Sequence, residues 1–480
     1  MSTTLPTPPV LSGGKGLLGH VKEFTNDRHA LFHRGQQELG AIYTLKMPGQ
    51  KIAVLNSPDY LKKLFEETDK SLSIEKGLKM FKPIFGEIGL IAGKETYQNQ
   101  RPVIYESFKR KRMATHIQAM QIETTRWLKG LDAQGELVLQ DHMITLTQQV
   151  ATLAFFGKEF QNQVGPTFWE QFKILSDSLD LVLPGWLPLP KFRRRDKAKE
   201  VIVELVSDII AERQKNANQY DDFLQTYIET PLVDGTHLSV RELAIHVISL
   251  AFAGHETTSI QAAWTMIQLL QNPEYLALVQ REVDTHLPQG TVLTPDLLMK
   301  LEHVFWAVDE TTRMRPSADM TQRVVEKELE LGGFRIPKGW MIIAPSRNIQ
   351  RMPELFSDPE RYNPFRFAPG KEEHKLHPHS ITGFGGNSHQ CAGMYFARNE
   401  MATIVALMLQ QYEWELVSDP QIDFRPGISQ ITESTLRYQK RKQPEQLVPF
   451  NAASYPTEVL AACPHLAQLA EAETREAVPM

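Results

Sequence analysis

The sequence predicts a mainly α-helical fold with small β-sheets. From about residue 95 to about residue 272 the apolar side chains recur with helical spacing, which is typical of packed amphipathic helices. The longest such run, residues 240–271, corresponds to one helix of roughly 45 Å. Strand-like alternation is brief, and it occurs at residues 41–55 and again around residues 329–344. Helices therefore make up most of the predicted fold.

Turn and cap signals place the individual elements in order. Residues 41–45 and 51–55 alternate in polarity around Pro48-Gly49, which predicts a β-hairpin. Ser57-Pro58-Asp59 supplies an N-cap residue, a proline suited to the first helical position and an early acid, so a helix follows. The remaining elements are further helices starting at Pro273 and Pro295, strands at 329–336 and 340–344, a glycine-rich loop at 383–387, and a helix at 392–411.

No linker or internal repeat interrupts the chain before about residue 445. Alanine and glutamate dominate residues 451–480, where 457–469 has the pattern of a short helix. We therefore predict one large domain, residues 1–445, followed by a C-terminal tail, residues 446–480. The role of the tail does not follow from its composition.

Composition and charge narrow the classes of function. The chain is 42% hydrophobic and 23% charged, as globular proteins are, and its net charge of -5 gives no reason to expect a nucleic-acid partner. The only two cysteines, Cys391 and Cys463, do not suggest a disulfide scaffold. Neither a signal peptide nor an apolar run long enough for a membrane span is found. We expect a cytoplasmic protein.

Cys391 follows the glycine-rich loop and precedes a helix. A helix N-terminus stabilises negative charge, so we expect the pKa of this thiol to be lowered and a thiolate to form. The glycines allow the backbone to approach a flat cofactor closely. A buried structural cysteine is the plainer interpretation of a lone cysteine. A nucleophile paired with His389 is disfavoured, because residues two apart at a helix start do not face each other.

Two further patterns carry chemistry. The long helix contains Ala253-Gly254-His255-Glu256-Thr257-Thr258, where a titratable acid stands beside a hydroxyl, as proton transfer requires. Taken alone this stretch is only a weak patch of helix. Glu310 and Arg313 are spaced to share one helical face, and Arg366 follows in Asn363-Pro364-Phe365-Arg366. Alone, such an acid–base pair is usually a surface ion pair.

Together and in this order, these motifs resemble those of the cytochrome P-450 superfamily over roughly residues 11–443. The resemblance implies a triangular helical prism that holds haem b between the long central helix and the cysteine-loop helix. It implies that Cys391 ligates the iron, that Phe384 shields the sulfur, and that Gly385 and Gly393 let the backbone pass close to the macrocycle. Asn387 stands where a glycine is usual, although asparagine also tolerates positive φ.

The same resemblance assigns roles to residues that are distant in sequence. Glu310, Arg313 and Arg366 would form a buried charge network that holds the cysteine loop, although the acid usual at Phe365 is absent. The long helix would open over the iron at Ala253, Gly254 and Thr258, with Thr257 hydrogen-bonding bound oxygen and Glu256 relaying protons. The haem propionates would be bound by four side chains: Arg101, Arg323, His389 and Tyr97.

The implied activity is that of a monooxygenase, which inserts one oxygen atom from O2 into a C–H bond. The chain has no dinucleotide fingerprint or flavin module, so we expect a monomer that takes electrons from a separate ferredoxin, flavodoxin or reductase. The basic run at residues 109–112 is a candidate docking site for that donor.

Residues 81–87, Trp264 and residues 411–414 are similar to bacterial sterol 14α-demethylases, which usually have histidine at the position of Glu256. We therefore expect a small hydrophobic, lipid-like substrate: a terpenoid, a sterol or a fatty acid. The candidate substrate pocket consists of Phe81, Phe85, Leu250, Ala253, Ser317, Asp319 and Ser429.

Two other functions stay open. A peroxygenase or another haem-thiolate enzyme on the same fold would not need the acid–alcohol pair. A non-catalytic haem-binding sensor or carrier would turn over no substrate with any electron donor.

Overall fold

The computed structural model describes residues 5–89, 91–109, 112–180, 183–216, 219–425, 428–442, 451–463, 466–468 and 470. The helices in this part of the chain are α1 (Val21–Leu39), α2 (Pro58–Glu67), α3 (Ile74–Gly77), α4 (Lys82–Phe85), α5 (Lys94–Glu106), α6 (Met113–Lys129), α7 (Leu139–Ala151), α8 (Gly157–Gln163), α9 (Gly165–Asp177), α10 (Pro190–Lys215), α11 (Phe223–Glu229), α12 (Val240–Gln271), α13 (Pro273–His286), α14 (Pro295–Leu298), α15 (Glu302–Met314), α16 (Ser346–Ile349), α17 (Met394–Gln411) and α18 (Thr457–Ala462).

The strands are short, as expected. They are β1 (Ile42–Met47), β2 (Gln50–Leu55), β3 (Leu72–Ser73), β4 (Gln134–Val138), β5 (Thr321–Val325), β6 (Leu329–Leu331), β7 (Phe334–Ile336), β8 (Met341–Ala344), β9 (Tyr412–Leu416), β10 (Gln421–Arg425), β11 (Ile428–Thr432) and β12 (Thr435–Lys440). The largest sheet has the order β1-β2-β8-β5-β3, and the smaller ones pair β4-β12-β9, β10-β11 and β6-β7. The predicted mainly helical fold with small sheets is confirmed.

The predicted hairpin is confirmed as the antiparallel pair β1–β2, in register from Ile42↔Leu55 to Met47↔Gln50. Gly49 supplies the positive φ (68°) that its tight turn requires. The helix that follows Ser57 also begins where expected, at Pro58. The turn and cap residues were therefore sufficient to predict both elements from the sequence.

Helix α12 runs through the core with the bounds that its apolar pattern predicted. Its N-terminus is closed by a capping box, in which the Ser239 side chain accepts from the Glu242 backbone and the Glu242 side chain accepts from the Ser239 backbone. Buried residues occur on all sides of the helix, because α7, α10, α15 and α17 pack around it. Such a helix is apolar all round and does not show a single core face.

One predicted helix start was wrong, and the predicted helix of the tail is interrupted. Helix α17 begins at Met394, two residues after the expected start at Ala392, because Cys391 and its neighbours form a turn in which the Met394 N–H reaches the Cys391 carbonyl at 3.4 Å. The short helix of the tail, α18, ends at Ala462. The predicted helix, residues 457–469, is interrupted at Cys463, and residues 466–468 are helical again; residues 464, 465 and 469 lie outside the described residues.

The described part of the tail packs on the body of the domain. Val459 and Cys463 are 0% and 2% exposed and belong to the same apolar cluster as the central helices. Tyr455 packs against the ring of Phe365 with 5.7 Å between ring centroids. None of the helices in the described part of the chain combines the length and hydropathy that a membrane span requires.

Candidate functional site

A cavity of about 390 Å³ lies between α12 and the cysteine loop. Leu250, Ala253 and Thr257 border it from α12, and Phe384 and Cys391 border it from the loop. Most of the other lining side chains are aliphatic or aromatic. The cavity is therefore apolar, with one thiol at one wall and a hydroxyl at the other.

The Cys391 loop is shaped by residues that can adopt unusual backbone angles. Gly385 (φ 71°) and Asn387 (φ 52°) are both left-handed, so the expectation that asparagine serves in place of glycine is confirmed. A side chain on Gly385 would lie 2.8 Å from the His389 carbonyl, and one on Gly393 would lie 3.2 Å from the Phe108 ring. The Cys391 N–H donates to the Phe384 carbonyl at 2.8 Å.

The expected lowering of the Cys391 pKa was wrong for the protein alone. Burial raises the pKa of this thiol, and the N–H of Gly393 opposes the rise only in part. Helix α17 begins only at Met394, three residues after the thiol. The thiol is surrounded by protein yet accessible from the cavity. Deprotonation would therefore accompany metal binding.

Gly254, Thr257 and Thr258 border the cavity from α12, and this stretch remains helical. The Thr257 hydroxyl donates to the Ala253 carbonyl at 2.9 Å, one turn earlier. A side chain on Gly254 would lie 2.9 Å from the Phe155 ring, and Thr258 also borders the cavity. The expected opening of the helix is absent from this stretch, which lies within the continuous helix 240–271.

Glu256 does not border the cavity. Its side chain points to α9, where its carboxylate accepts a hydrogen bond from the Ser176 hydroxyl at 3.2 Å. Burial raises the pKa of Glu256, and the Ser176 hydrogen bond and the charge of Arg425 partly oppose this. The acid is therefore placed beside the cavity wall, one residue from Thr257.

The four side chains expected to bind propionates gather at one place. The His389 ring stacks on Tyr97 at 4.2 Å, and Tyr97 donates to the Ser388 carbonyl at 2.5 Å. Burial lowers the pKa of His389, and the charges of Arg323 and Arg101 act in the same direction. Asp69 opposes them through a 2.7 Å contact with His389 Nε2.

Sequence analysis did not identify Asp69 at this place. Its backbone is left-handed (φ 66°), but no motif marks it, and its contact with His389 spans 320 residues. The buried Arg323 side chain donates to Thr68 at 3.0 Å, while Arg101 is exposed and lies over the Tyr105 ring at 4.8 Å.

The predicted charge network around Glu310 is assembled and buried. Arg313 donates from Nε and Nη2 to the two Glu310 oxygens at 2.7 and 2.9 Å, and Arg366 Nε donates to Oε1 at 3.1 Å. All three side chains are 0% exposed. The Asn363 N–H adds a further donor at 2.8 Å. Both carboxylate oxygens are thus satisfied, as a buried ion requires.

Gln350 connects this network to the cysteine loop and was not identified from the sequence. Its side-chain nitrogen donates to the Arg313 carbonyl at 2.8 Å, and its oxygen accepts from the Thr382 N–H at 2.7 Å. Arg313 Nη1 in turn donates to the Gln350 carbonyl at 2.8 Å. The loop that leads to Cys391 is therefore held by hydrogen bonds to the Glu310 helix.

Five of the seven expected substrate-pocket residues border the cavity: Phe81, Phe85, Leu250, Ala253 and Ser317. Asp319 and Ser429 do not, and their assignment to the pocket was wrong. Asp319 is buried behind the wall, where it accepts hydrogen bonds from Arg28 and Ser429, both at 2.7 Å. A buried carboxylate needs such partners, and an apolar cavity does not offer them.

The sequence profile of the cytochrome P450 family matches residues 8–438 of the chain. The chain belongs to the cytochrome P450 family. The sterol 14α-demethylase of Mycolicibacterium vanbaalenii is 29% identical over 450 residues, which span 92% of this chain and 99% of that relative. The sterol 14-demethylase of Arabidopsis thaliana is 26% identical over 448 residues, or 91% of this chain and 92% of the relative. Distant similarity to this group is confirmed.

Solved structures support the same fold. A cyanobacterial cytochrome P450 with retinoic acid bound superimposes with a TM-score of 0.80 at 22% identity, covering 92% of this chain and all (100%) of that one. The haem domain of cytochrome P450DA gives a TM-score of 0.81 at 20% identity, covering 92% of this chain and 98% of that one. Cytochromes P450 are haem-thiolate proteins, so the chain takes haem b with its iron ligated by a cysteine.

Proposed function

We propose that this cytochrome P450 is a monooxygenase that inserts one oxygen atom from O2 into a C–H bond of a lipid-like substrate, with Cys391 as the iron ligand. One observation carries the proposal: the Cys391 thiol and the Thr257 side chain border the same apolar cavity. Cys463 borders no part of that cavity and lies beyond the residues matched by the family.

The residues around the cavity fit a haem. Gly385 and Gly393 allow the cysteine turn to pack tightly, because a Cβ at either position would crowd the His389 carbonyl or the Phe108 ring, and the cluster of Arg101, Arg323 and His389 offers positive or hydrogen-bonding groups to propionates. When bound, a haem-thiolate iron supplies the activation of O2. The glycine-rich turn and the Glu310 network would keep the sulfur of Cys391 in place for this ligation.

The protein's own part in the reaction is to hold and move protons. The Thr257 hydroxyl, which borders the cavity, would exchange its bond to the Ala253 carbonyl for one to a bound ligand. Glu256 would act as a proton store behind it, because burial raises the pKa of this carboxyl. Ser176 keeps the Glu256 carboxylate oriented from α9.

The lining of the cavity supports a lipid-like substrate. Phe81 and Phe85 pack against Phe252 with ring centroids 5.6 and 5.3 Å apart, which forms an aromatic wall above α12. Such a wall binds apolar surface, and Ser317 supplies a hydroxyl nearby. The sterol demethylases among the relatives act on substrates of this class. We propose a sterol, a terpenoid or a fatty acid.

Electrons would come from a separate ferredoxin, flavodoxin or reductase that docks on a monomer of this chain in the cytoplasm. Two residues of the basic run, Lys109 and Arg112, are described, and the other two, Arg110 and Lys111, lie outside the described residues. Lys109 is 58% exposed, so it is accessible to an acidic partner. Charge reversal at Lys109 is expected to slow partner-driven turnover and to weaken its dependence on salt.

The reduced carbon monoxide adduct tests the central assignment. The wild type is expected to show the red-shifted Soret band of a thiolate complex, and Cys391→Ser is expected to lose it. Cys463→Ser is the matched control and should keep the band. A red-shifted band that survives Cys391→Ser would overturn the assignment. Spectral titration with fatty acids and sterols would then define the substrate.

A peroxide-driven enzyme on the same fold is the second candidate. It is favoured by one observation, the orientation of the Glu256 carboxylate toward Ser176 and away from the cavity. Turnover driven by the electron donor should fall in Thr257→Ala and Glu256→Gln if the monooxygenase proposal holds. Peroxide-driven turnover that exceeds donor-driven turnover and is unchanged in both variants would favour the peroxygenase.

A further inference from the structure

A buried charge cluster lies directly behind one wall of the cavity. Its centre is Asp319, whose Oδ2 accepts hydrogen bonds from Arg28 Nε at 2.7 Å, His29 Nε2 at 2.8 Å and the Ser429 hydroxyl at 2.7 Å. The side chains of Arg28 and Asp319 are both 0% exposed. We refer to these four residues, Arg28, His29, Asp319 and Ser429, as the Asp319 cluster.

The partners of His29 determine its protonation state. Arg347 is hydrogen-bonded to His29 Nδ1, and an arginine side chain can only donate, so Nδ1 is the acceptor. Nε2 must then carry the hydrogen that His29 donates to Asp319. His29 is therefore neutral, and the cluster contains one anion, Asp319, balanced by the cation of Arg28. The Phe424 ring packs against both Arg28 and His29, at 4.9 Å in each case.

The cluster joins three segments that are far apart in sequence. Arg28 and His29 belong to α1, Asp319 follows α15, and Ser429 belongs to β11. Arg28 Nη2 also donates to the Ile428 carbonyl at 2.7 Å, and Nη1 donates to the Arg425 carbonyl at 3.2 Å. The guanidinium group thus holds both strands of the β10–β11 hairpin and the Asp319 loop together.

The loop that this guanidinium group holds forms part of the cavity wall, whereas the hairpin stands behind it. Ser317 and Ala318, which immediately precede Asp319, border the cavity. The Ser429 N–H donates to the Ser317 carbonyl at 3.2 Å, so the backbone of the wall is bound to the hairpin as well. The position of Ser317 and Ala318 therefore depends on side chains that do not border the cavity.

The arrangement is not the one that stability alone would favour. All three donors converge on Oδ2, while Asp319 Oδ1 is buried with no hydrogen-bond partner among the described residues. Buried ion pairs often contribute little net stability compared with apolar side chains, and their best-attested use is to specify one conformation. A cluster with an unsatisfied oxygen fits that role, because its geometry is specific although its hydrogen bonding is incomplete.

We propose that the Asp319 cluster is a specificity-determining device, which selects among lipid substrates by fixing the Ser317–Ala318 wall from behind. The inference rests on the proposed function of the cavity as a lipid site. The residues of the Asp319 cluster are positioning residues, since none of them borders the cavity. Loss of the anion would leave Arg28 buried without a counter-ion, and the hairpin or the loop would have to move to hydrate it.

Spectral titration of the haem-loaded enzyme tests the proposal. The probes are palmitic acid, lanosterol and imidazole, and the variants are Asp319→Asn and the milder Ser429→Ala. We expect the ratio of the Kd values for the two lipids to change about tenfold in Asp319→Asn, and in the same direction but less in Ser429→Ala. The Kd for imidazole should stay the same, because imidazole needs only the iron and the space next to it.

Asp284→Asn is the matched control for the loss of a buried carboxylate. Asp284 binds Arg441 through two hydrogen bonds, at 2.8 and 2.9 Å, and its side chain is 7% exposed, but neither residue borders the cavity. This variant should keep the wild-type ratio of lipid affinities. An unchanged ratio in Asp319→Asn, or an equal change in Asp284→Asn, would overturn the inference.

Amide hydrogen exchange provides a readout that does not depend on which lipid binds. Asp319→Asn is expected to accelerate exchange at residues 317–319 and 428–430, and Asp284→Asn is not. If the wild type binds neither lipid, the proposed substrate class fails, while faster exchange at the wall would still support the positioning role. Unchanged exchange at these residues would refute that role by itself.

Discussion

Two buried charge networks, one centred on Glu310 and one on Asp319, lie behind different parts of the cavity. In the first, both carboxylate oxygens have donors, and the partners Arg313 and Arg366 are 3 and 56 residues away in sequence. In the second, one oxygen takes all the donors, and Arg28 is 291 residues away. We propose that the first supports Cys391 as the haem ligand and that the second shapes the substrate wall.

The difference shows how sequence distance limits inference. The acid and base at helical spacing, followed by the Asn363–Arg366 motif, made the Glu310 network recognisable. Nothing near Arg28 or Asp319 in the sequence indicates that they meet, and Asp319 was therefore misassigned to the pocket. The two networks also differ in hydrogen bonding, because both oxygens of Glu310 have donors, whereas Asp319 Oδ1 has none among the described residues. Substitutions in the two networks should therefore have different effects on stability.

Glu310→Gln should have the largest effect. It would leave Arg313 and Arg366 buried without their shared anion, and breaking a buried ion pair typically costs about 3–5 kcal/mol. We expect low haem content and a lower midpoint in urea unfolding of the haem-loaded enzyme. Glu373→Gln is the control, because Glu373 binds Arg366 at the edge of the network with 14% of its side chain exposed. Equal losses in the two variants would contradict the central role of Glu310.

A double-mutant cycle would sharpen the comparison for the Asp319 cluster. Arg28→Gln and Asp319→Asn should be coupled by about 2 kcal/mol in the free energy of unfolding, because each removes the counter-ion of the other. Arg28→Gln combined with Asp284→Asn should be additive. Additivity of the first pair would mean that the 2.7 Å contact between Arg28 and Asp319 contributes no specific interaction.

Acidic pH should distinguish the networks, because the Asp319 cluster includes a histidine. Burial lowers the pKa of His29, and the charges of Arg347 and Arg28 act in the same direction; the hydrogen bond that His29 donates to Asp319 and the charge of Asp319 oppose them. Below about pH 6.5 the unfolded chain therefore takes up a proton that the folded protein does not, and the free energy of unfolding falls by up to about 1.4 kcal/mol per pH unit.

His29→Gln removes this contribution, so its stability should decline less steeply than that of the wild type as the pH falls below 6.5. The measurement is urea unfolding of both proteins over a series of pH values. In both proteins the free energy of unfolding still declines at acidic pH, because burial lowers the pKa of His116, His246 and His255 to about 4. Parallel curves for the two proteins would contradict a neutral, buried His29.

An exposed ion pair should show the smallest effect. Arg241 binds Glu200 with two hydrogen bonds, at 2.9 and 2.7 Å, yet the two side chains are 59% and 60% exposed. Arg241→Gln is expected to leave the urea midpoint unchanged within error, because solvent and salt screen such pairs. A shift in the urea midpoint as large as that of Arg28→Gln would show that burial does not explain why a buried ion pair contributes more to stability than an exposed one.

Much of the local structure could be predicted because its causes are local. The bounds of the long helix, 240–271, were predicted correctly from apolar spacing, and the β1–β2 hairpin from its turn residues. The residues around Cys391 and Thr257 were placed at one site through family motifs, and they do border one cavity. The contacts of Asp69, Ser176 and Gln350 could not be predicted, because each joins segments that no motif connects.

By itself the sequence determined which chemical groups this protein carries and which of them lie on the same helix or loop. Spacing within one element is set by backbone geometry, so it can be read from neighbouring residues. Only the tertiary structure decided that Glu256 faces Ser176, that burial raises the pKa of Cys391, and that Asp319 binds Arg28. These outcomes depend on burial and on charge pairing between distant segments, because a buried charge must find its partners wherever the fold brings them.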